Sequence, residues 1–565
     1  MRRLLPLVAM LLAALLASCA QVPTGSDPIA VRSVSGNGDL SGPDVHSVVP
    51  GPKPGMRTDQ IVQGFLDATS ADPDPRHQRA RQFLTPSAAK NWDQGAQATI
   101  YTQRFVRPDR SRPRVTVTIA RLGTVASDGA YRVTRGQEQL QFKLEKVKGE
   151  WRISNPPPGI TVQSSDFSAL FHKTNVYFLG ANDIVVPEPR YFQVPTASLA
   201  NRVMQALVAG PSSWLAPAVR TDIPKGAKLR RNVIEDSPAT TVDLADLGSM
   251  TSAALKGMSA QIVFTLAGLK TSTVRILADG QQLEVPGVGK EQHLTDWEDY
   301  DPDALPASAS AYVAYEGSVW ALDGNRVPGP AGEGAYNLRA VGVSADRAEM
   351  AGVSEKSGRD HLYVGPYGKA LADRLQANWL TRPTWGNRMY GTWTIRNGSD
   401  VIRVPVHGEP QVVSAPALEG IAPVSAMRLS RDGTRAAIIG NHGRLYLARI
   451  SINTGRMSVD GLREIAPELR HVTDVAWASA DTLSVLAPNS TSFPVVWDVS
   501  VDGSSRSAHN NISDLPGQLS GIAAAPGRQT LGAAEGTIWQ LYSNGWSRIV
   551  AKGDTLYGDM PTYPD

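Results

Sequence analysis

A chain of 565 residues is long enough for three or four domains, and its formal net charge of +3 is too small to argue for nucleic acid or any other polyanion as partner. A single cysteine excludes a disulfide framework, so each domain must be stable through its own core. High glycine and proline with only moderate charge describe a strand-rich, loop-rich chain better than a helical bundle.

Met1-Arg2-Arg3 precedes an apolar run, Leu4 to Leu16, that is too short to span a bilayer but suits a secretory leader. Small residues then lead to Cys19. Leu16-Ala17-Ser18-Cys19 resembles the bacterial lipobox. The resemblance implies a signal peptide over 1–18 recognised through Leu16, Ala17 and Ser18, and a fatty-acylated Cys19, palmitate being the expected acyl group. The mature protein would then be anchored to the membrane rather than spanning it. No later stretch approaches the roughly 18 apolar residues of a membrane helix, so everything beyond Cys19 is expected on the extracytoplasmic face. Residues 19–55, rich in Gly, Pro, Ser and Asp without period, read as a disordered tether.

Residues 56–158 read as an α+β domain. Thr58-Asp59-Gln60 can cap a helix carrying Ile61, Val62, Phe65 and Leu66; Arg76 to Leu84 is helical, and Thr85-Pro86 opens another helix. Alternation predicts strands over Arg114–Leu122, Ala130–Thr134 and Gln139–Val147, closed by Trp151-Arg152-Ile153. Helices first and a curved sheet second resembles an NTF2-like unit. The run Arg104, Arg107, Arg110, Arg112, Arg114, with Tyr101 and Phe105 interleaved, reads as a solvated loop before a strand. The polyanions open to it outside the cell are lipid headgroups or wall polymers.

Residues 166–290 carry a series of segments: Val176-Tyr177-Phe178, Ala206-Leu207-Val208-Ala209-Gly210-Pro211, Ile223-Pro224-Lys225-Gly226, Val242-Asp243-Leu244 and Ile262-Val263-Phe264-Thr265-Leu266. In order and spacing they resemble the GerMN domain of sporulation and germination proteins. Residues 198–208 are expected as a helix and 261–266 as helix or strand. The acidic stretch 296–303, within 291–308, lacks the glycine and distant glutamate of a calcium loop and reads as a solvated linker.

From Ala309 to Asp565 short apolar strands recur near Tyr312, Leu338, Pro383, Met427, Val475 and Gly521, the later ones about 43 to 48 residues apart, a period typical of β-propeller blades. Arg431-Asp432-Gly433-Thr434 has hairpin-turn chemistry. Five or six blades fit, with Tyr312–Leu322 and Trp539–Val550 as candidates for one shared, ring-closing blade. Trp320, Trp385, Trp393, Trp477, Trp497 and Trp539 are expected mostly in blade cores.

No catalytic set, metal motif or cofactor loop emerges. The nine histidines are scattered, no nucleophile elbow or phosphate loop occurs, and Ser87-Ala88-Ala89-Lys90 and Lys356-Ser357-Gly358 fall in different domains. Lipobox, tether, α+β unit, GerMN-like series and repeats, in this order, resemble the lipoprotein LpqB family of actinobacteria. What that implies is a lipid-anchored, non-enzymatic accessory protein without cofactor. It would interact with the extracellular domain of the sensor kinase MtrB and modulate the MtrAB two-component system, affecting envelope homeostasis and division. The alternative is an envelope polysaccharide or peptide hydrolase, if Asp346, Asp360, Asp400 and Asp474 converge at the propeller channel mouth.

Overall fold

Arg57 starts the first helix, α1 (Thr58–Ala71), by donating its backbone N–H to the Gln60 side chain at 2.9 Å, half of a capping box, while Asp59 sits favourably in the first turn. The computed structural model describes residues 50–71, 76–193, 199–236, 239–306, 308–386, 391–405, 407–453 and 455–565. Leu16, Ala17, Ser18 and Cys19, and nearly all of the 19–55 tether, lie outside them. The predicted helix over Arg76–Leu84 is shorter, α2 (Gln78–Arg81). Thr85 caps α3 (Pro86–Asn91), accepting the Ala88 N–H at 3.2 Å with Pro86 in the first turn.

The sheet that follows has five strands: β1 (Gln97–Pro108), β2 (Arg114–Ala126), β3 (Tyr131–Val147), β4 (Glu150–Ile153) and β5 (Ile160–Gln163), in spatial order β4-β3-β2-β1-β5. Ile61, Val62, Phe65 and Leu66 of α1 are buried against Val117, Ile119 and Phe142 of the sheet. Three expectations are corrected. The arginine run is not a loop before a strand but the end of β1, the hairpin turn and the first residue of β2, and the two short strands predicted after it are one, β3. Residues 50–55 belong to the domain rather than to the tether, for the Gly55 N–H donates to Glu150 Oε2 at 3.0 Å.

A short helix, α4 (Phe167–Leu170), leads into the second domain. There β6 (Phe171–Leu179) and β7 (Val185–Gln193) form a hairpin, followed by α5 (Leu199–Ala209), β8 (Lys228–Leu229), β9 (Ile234–Glu235) and β10 (Thr240–Ala245). A long helix, α6 (Ser252–Ala267), then crosses to β11 (Val274–Ala278), which lies parallel to β10. The run 261–266 is therefore helix. Thr251 caps α6 through the Ala254 N–H at 3.2 Å, and every residue from Gly257 to Leu266 is buried, so the segment has no polar face to mark its period. Strands β12 (Gln281–Gln282) and β13 (Glu291–Gln292) pair with β11. The acidic stretch after them is not a solvated linker. Residues Leu294–Tyr300 form a helical turn that buries Trp297 in the core of this domain, at 2% exposure, while Asp296, Glu298 and Asp299 face water.

The rest is a six-bladed propeller. Five four-stranded sheets span 340–377, 384–413, 426–464, 474–509 and 519–548, and a three-stranded first blade completes the ring. That blade pairs strands Tyr312–Tyr315 and Ser318–Ala321 with the last strand, Asp559–Thr562, in antiparallel register Tyr312↔Thr562. Ring closure is thus made by Asp559–Thr562 and not by Trp539–Val550; Trp539 lies on Thr537–Tyr542, inside the sixth blade. Trp385, Trp393 and Trp477 are buried, whereas Trp320, Trp497 and Trp539 are only partly covered.

Candidate interaction site: the turn face and the channel of the propeller

A repeated Ser-x-Asp turn follows the inner strand in three blades. The serine hydroxyl donates to the aspartate two residues on: Ser344 to Asp346 at 2.6 Å, Ser430 to Asp432 at 2.7 Å and Ser479 to Asp481 at 2.9 Å. Ser500 and Asp502 repeat the contact at 2.8 Å in an outer turn. Two of these carboxylates, Asp432 and Asp481, help make the docking face for the second domain. Asp432 holds Arg435 at 2.6 Å, and Arg435 donates on to the Pro187 carbonyl of β7 at 3.2 Å. Burial opposes charge on Asp432, but Arg435 and the hydroxyls of Ser430 and Thr434 outweigh it and hold the carboxyl below its usual range. Asp481 accepts from the Asn175 amide at 2.9 Å, beside Lys173, whose ammonium donates to Ser500 at 3.0 Å.

All three domains meet next to this face. Within β7 the buried Glu188 and Arg190 pair at 2.5 Å, and Arg190 also donates to the Asp128 carbonyl of the first domain at 2.6 Å. Tyr191 donates to Ser504 of the propeller and packs tilted against Phe167, which in turn lies against Tyr131. Trp214 donates to the Gly461 carbonyl at 2.6 Å, and the Arg463 guanidinium lies over its ring at 3.9 Å. Burial pushes Arg463 down to about 10. Arg135 of β3 pairs with Glu468. The buried Glu188–Arg190 pair holds one geometry, because displacing either partner leaves a buried charge alone. The sequence signals for the junction are the Ser-x-Asp repeat and the two charged residues set in the otherwise apolar strand Val185–Gln193; neither entered the sequence-based reading.

The channel is filled by the protein itself. Arg382 and Arg428 converge on Asp474, Arg382 at 3.1 Å and Arg428 at 3.6 Å, and Arg382 donates to the Pro561 carbonyl at 2.9 Å. Arg431 donates to the Pro564 carbonyl at about 2.5 Å, and Thr384 to the Asp565 side chain at 2.8 Å. Burial pushes Arg428 down to about 9 and Asp565 up to about 6. Residues 561–565 leave a gap of only about 30 Å³ beside these groups. A much larger cleft, about 420 Å³, lies instead between the first two domains, lined among others by Gln97, Phe171, Arg190, Phe192 and Arg202.

The four aspartates considered for hydrolysis do not converge. Asp346 lies in a turn, bonded to Ser344 and the Ala348 N–H; Asp360 and Asp400, on the third strands of their blades, pair with Arg339 and Arg396 at 2.7 and 2.8 Å; only Asp474 faces the channel. Ser87 sits on α3 and Lys356–Gly358 in a propeller hairpin. Among the described residues there is no cluster of three or more His, Cys, Asp or Glu fit to hold a metal, and no helix long and apolar enough to cross a membrane.

Comparison with known proteins follows the three domains. A family model described as the lipoprotein LpqB β-propeller domain matches residues 317–564, one described as the lipoprotein LpqB N-terminal domain matches 51–168, and the Germane model of sporulation and spore germination matches 175–284. Lipoprotein LpqB of Rhodococcus jostii (strain RHA1) is 33% identical over an alignment covering 87% of this chain and 85% of its own. The chain belongs to the lipoprotein LpqB family. Lipoprotein LpqB of Thermobifida fusca (strain YX) is 29% identical over 98% of this chain and 97% of its own. Among solved structures, TolB from Acinetobacter baumannii is similar over 48% of this chain and 70% of its own, at 10% identity and a TM-score of 0.33.

Proposed function

We propose that this LpqB-family protein is held at the extracytoplasmic face of the cell membrane by lipid on Cys19. There its three-domain body binds the extracellular domain of the sensor kinase MtrB and modulates the MtrAB two-component system, and through it envelope homeostasis and division. Family membership supports the partner. The observation that supports binding over catalysis is the channel: residues 561–565 occupy it, and Asp474 is paired with both Arg382 and Arg428. A locked body that presents surfaces suits a signalling contact, which typically buries under about 1,200 Å² and is weak in solution; anchoring both partners in one membrane raises their effective concentration.

Photocrosslinking from the propeller and second-domain surfaces in intact membranes should capture MtrB. Two results would sink the reading: no association with any kinase ectodomain when both partners are co-anchored on a bilayer, or release of soluble sugars or peptides from purified envelope that depends on Asp474. Anchoring is checked separately. The Cys19→Ser protein should take up no alkyne fatty acid label, since no other cysteine exists to receive it.

A further inference from the structure

The β1–β2 hairpin carries cations that the fold does not use. Arg107, Arg110, Arg112 and Arg114 are exposed, and among the described residues none of them takes part in an ion pair, in contrast to Arg104, which pairs with Asp67. Strand alternation sorts the neighbours by face. Val106, Val115 and Val117 turn inward to the core, so Phe105, Arg107 and Arg114 share the outer face, where Arg114 stands opposite Lys143 in register. Phe105 is 66% exposed, a large aromatic left in water beside unpaired guanidinium groups. The acidic groups nearby are few: Asp109 is engaged with Ser111 and also feels the charge of Arg112, Glu145 stands opposite Arg152, and Glu150 accepts from Gly55.

The placement of the hairpin gives these features a direction. The Leu144 N–H donates to the Pro113 carbonyl at 2.9 Å, which sets the hairpin tip beside the end of β3 that turns into β4. Gly55 is bound at that same turn through Glu150. The first described segment, residues 50–55, is thus fastened through Gly55 at the end of the sheet that bears the arginines.

We propose that the β1–β2 hairpin, with Phe105, Arg107, Arg110, Arg112 and Arg114, is a contact surface for an anionic lipid bilayer. Guanidinium groups pair with phosphate oxygens, and each basic residue near such a surface raises partitioning about fivefold. Phe105 favours a bilayer as the occupant, because an aromatic ring gains by entering the membrane interface. The surface would hold the N-terminal domain against the membrane and fix how the body stands above it. The proposal rests on the anchoring part of the function above only for the bilayer's position, so it is tested on protein without lipid.

The test is co-sedimentation of the chain from residue 20 onward with vesicles of phosphatidylcholine alone and of an equal mixture of phosphatidylglycerol and phosphatidylcholine. The protein should bind the mixed vesicles and not the neutral ones, with binding falling as salt rises. Replacing the four arginines together with Glu should lower partitioning about 100-fold or more, and Phe105→Ser about tenfold. Arg548→Glu, an exposed change on the propeller, should leave it unaltered, and far-UV circular dichroism reports that each variant folds. Equal binding to both vesicle types, or an arginine variant that binds like the parent, overturns the proposal. So does binding of a soluble anionic wall polymer that needs the arginines but is indifferent to Phe105→Ser, since the surface would then read polymer charge and not a bilayer.

Discussion

Two groups of arginines are put to opposite uses. Arg190, Arg382, Arg428, Arg435 and Arg463 are buried and bonded to carboxylates, carbonyls or an aromatic face, and they fasten blade to blade and domain to domain. Arg107, Arg110, Arg112 and Arg114 stand in solvent, and among the described residues none of them forms an ion pair. The residue type is the same, but desolvation decides what its loss costs: a buried charge stripped of its partner is expensive, and an exposed one is nearly free to change.

The largest predicted effect comes from removing residues 559–565. This deletes the closing strand and takes the Pro561 and Pro564 carbonyls from Arg382 and Arg431, so the propeller should lose its cooperative thermal transition, read by calorimetry. A propeller that kept its melting temperature and protease resistance would show that the first blade does not need Asp559–Thr562. Next, Asp474→Ala leaves Arg382 and Arg428 buried together without their shared carboxylate, and should destabilise by about 3 to 5 kcal/mol in denaturant unfolding.

A pH measurement sharpens the comparison from the acidic side. Burial raises Asp303 from 3.8 to about 6, although it accepts the Ala480 N–H at 2.7 Å. The folded state therefore holds this proton more tightly than the unfolded chain, and the contribution is fully present below about pH 4 and lost as pH rises through about 6. Asp303→Asn should remove that slope, worth up to about 3 kcal/mol, seen as the difference between parent and variant in unfolding free energy against pH. Least affected is the hairpin: Arg110→Ala should change stability by under about 0.5 kcal/mol, and a larger loss would mean that the exposed group has a structural partner.

What the sequence disclosed follows the same division between exposed and buried. The blade period was legible because each blade repeats its strands and polar turns, most plainly at Asp432-Gly433, where Gly433 takes a positive φ of 73°. The GerMN series was legible as a string of short motifs, yet its central helix was not, since α6 is enclosed on every side from Gly257 to Leu266 and shows no 3.6-residue pattern there. Strand β1 was hidden by its arginines, which read as solvated loop although Val106 turns inward. The turn at 294–300 was hidden in the opposite way: its acids dominate the composition, and one tryptophan does the packing. For the candidate site, charges in an apolar strand such as Glu188 and Arg190 signal burial, but which distant group meets them depends on tertiary contacts that no local pattern encodes. The lipidation residues Leu16 to Cys19 stand outside the described residues, so that reading rests on the motif.

The pairing of Tyr312 with Thr562 also bears on how the molecule is assembled in time. A chain made from its N-terminus can complete the second through sixth blades while the first still lacks its inner strand. Until that strand arrives, the ring has an unpaired edge whose N–H and C=O groups are free to recruit a strand from another copy. Contacts this distant in sequence form slowly, so closure is expected to be the late, rate-setting step of propeller folding and the interval of greatest exposure to aggregation.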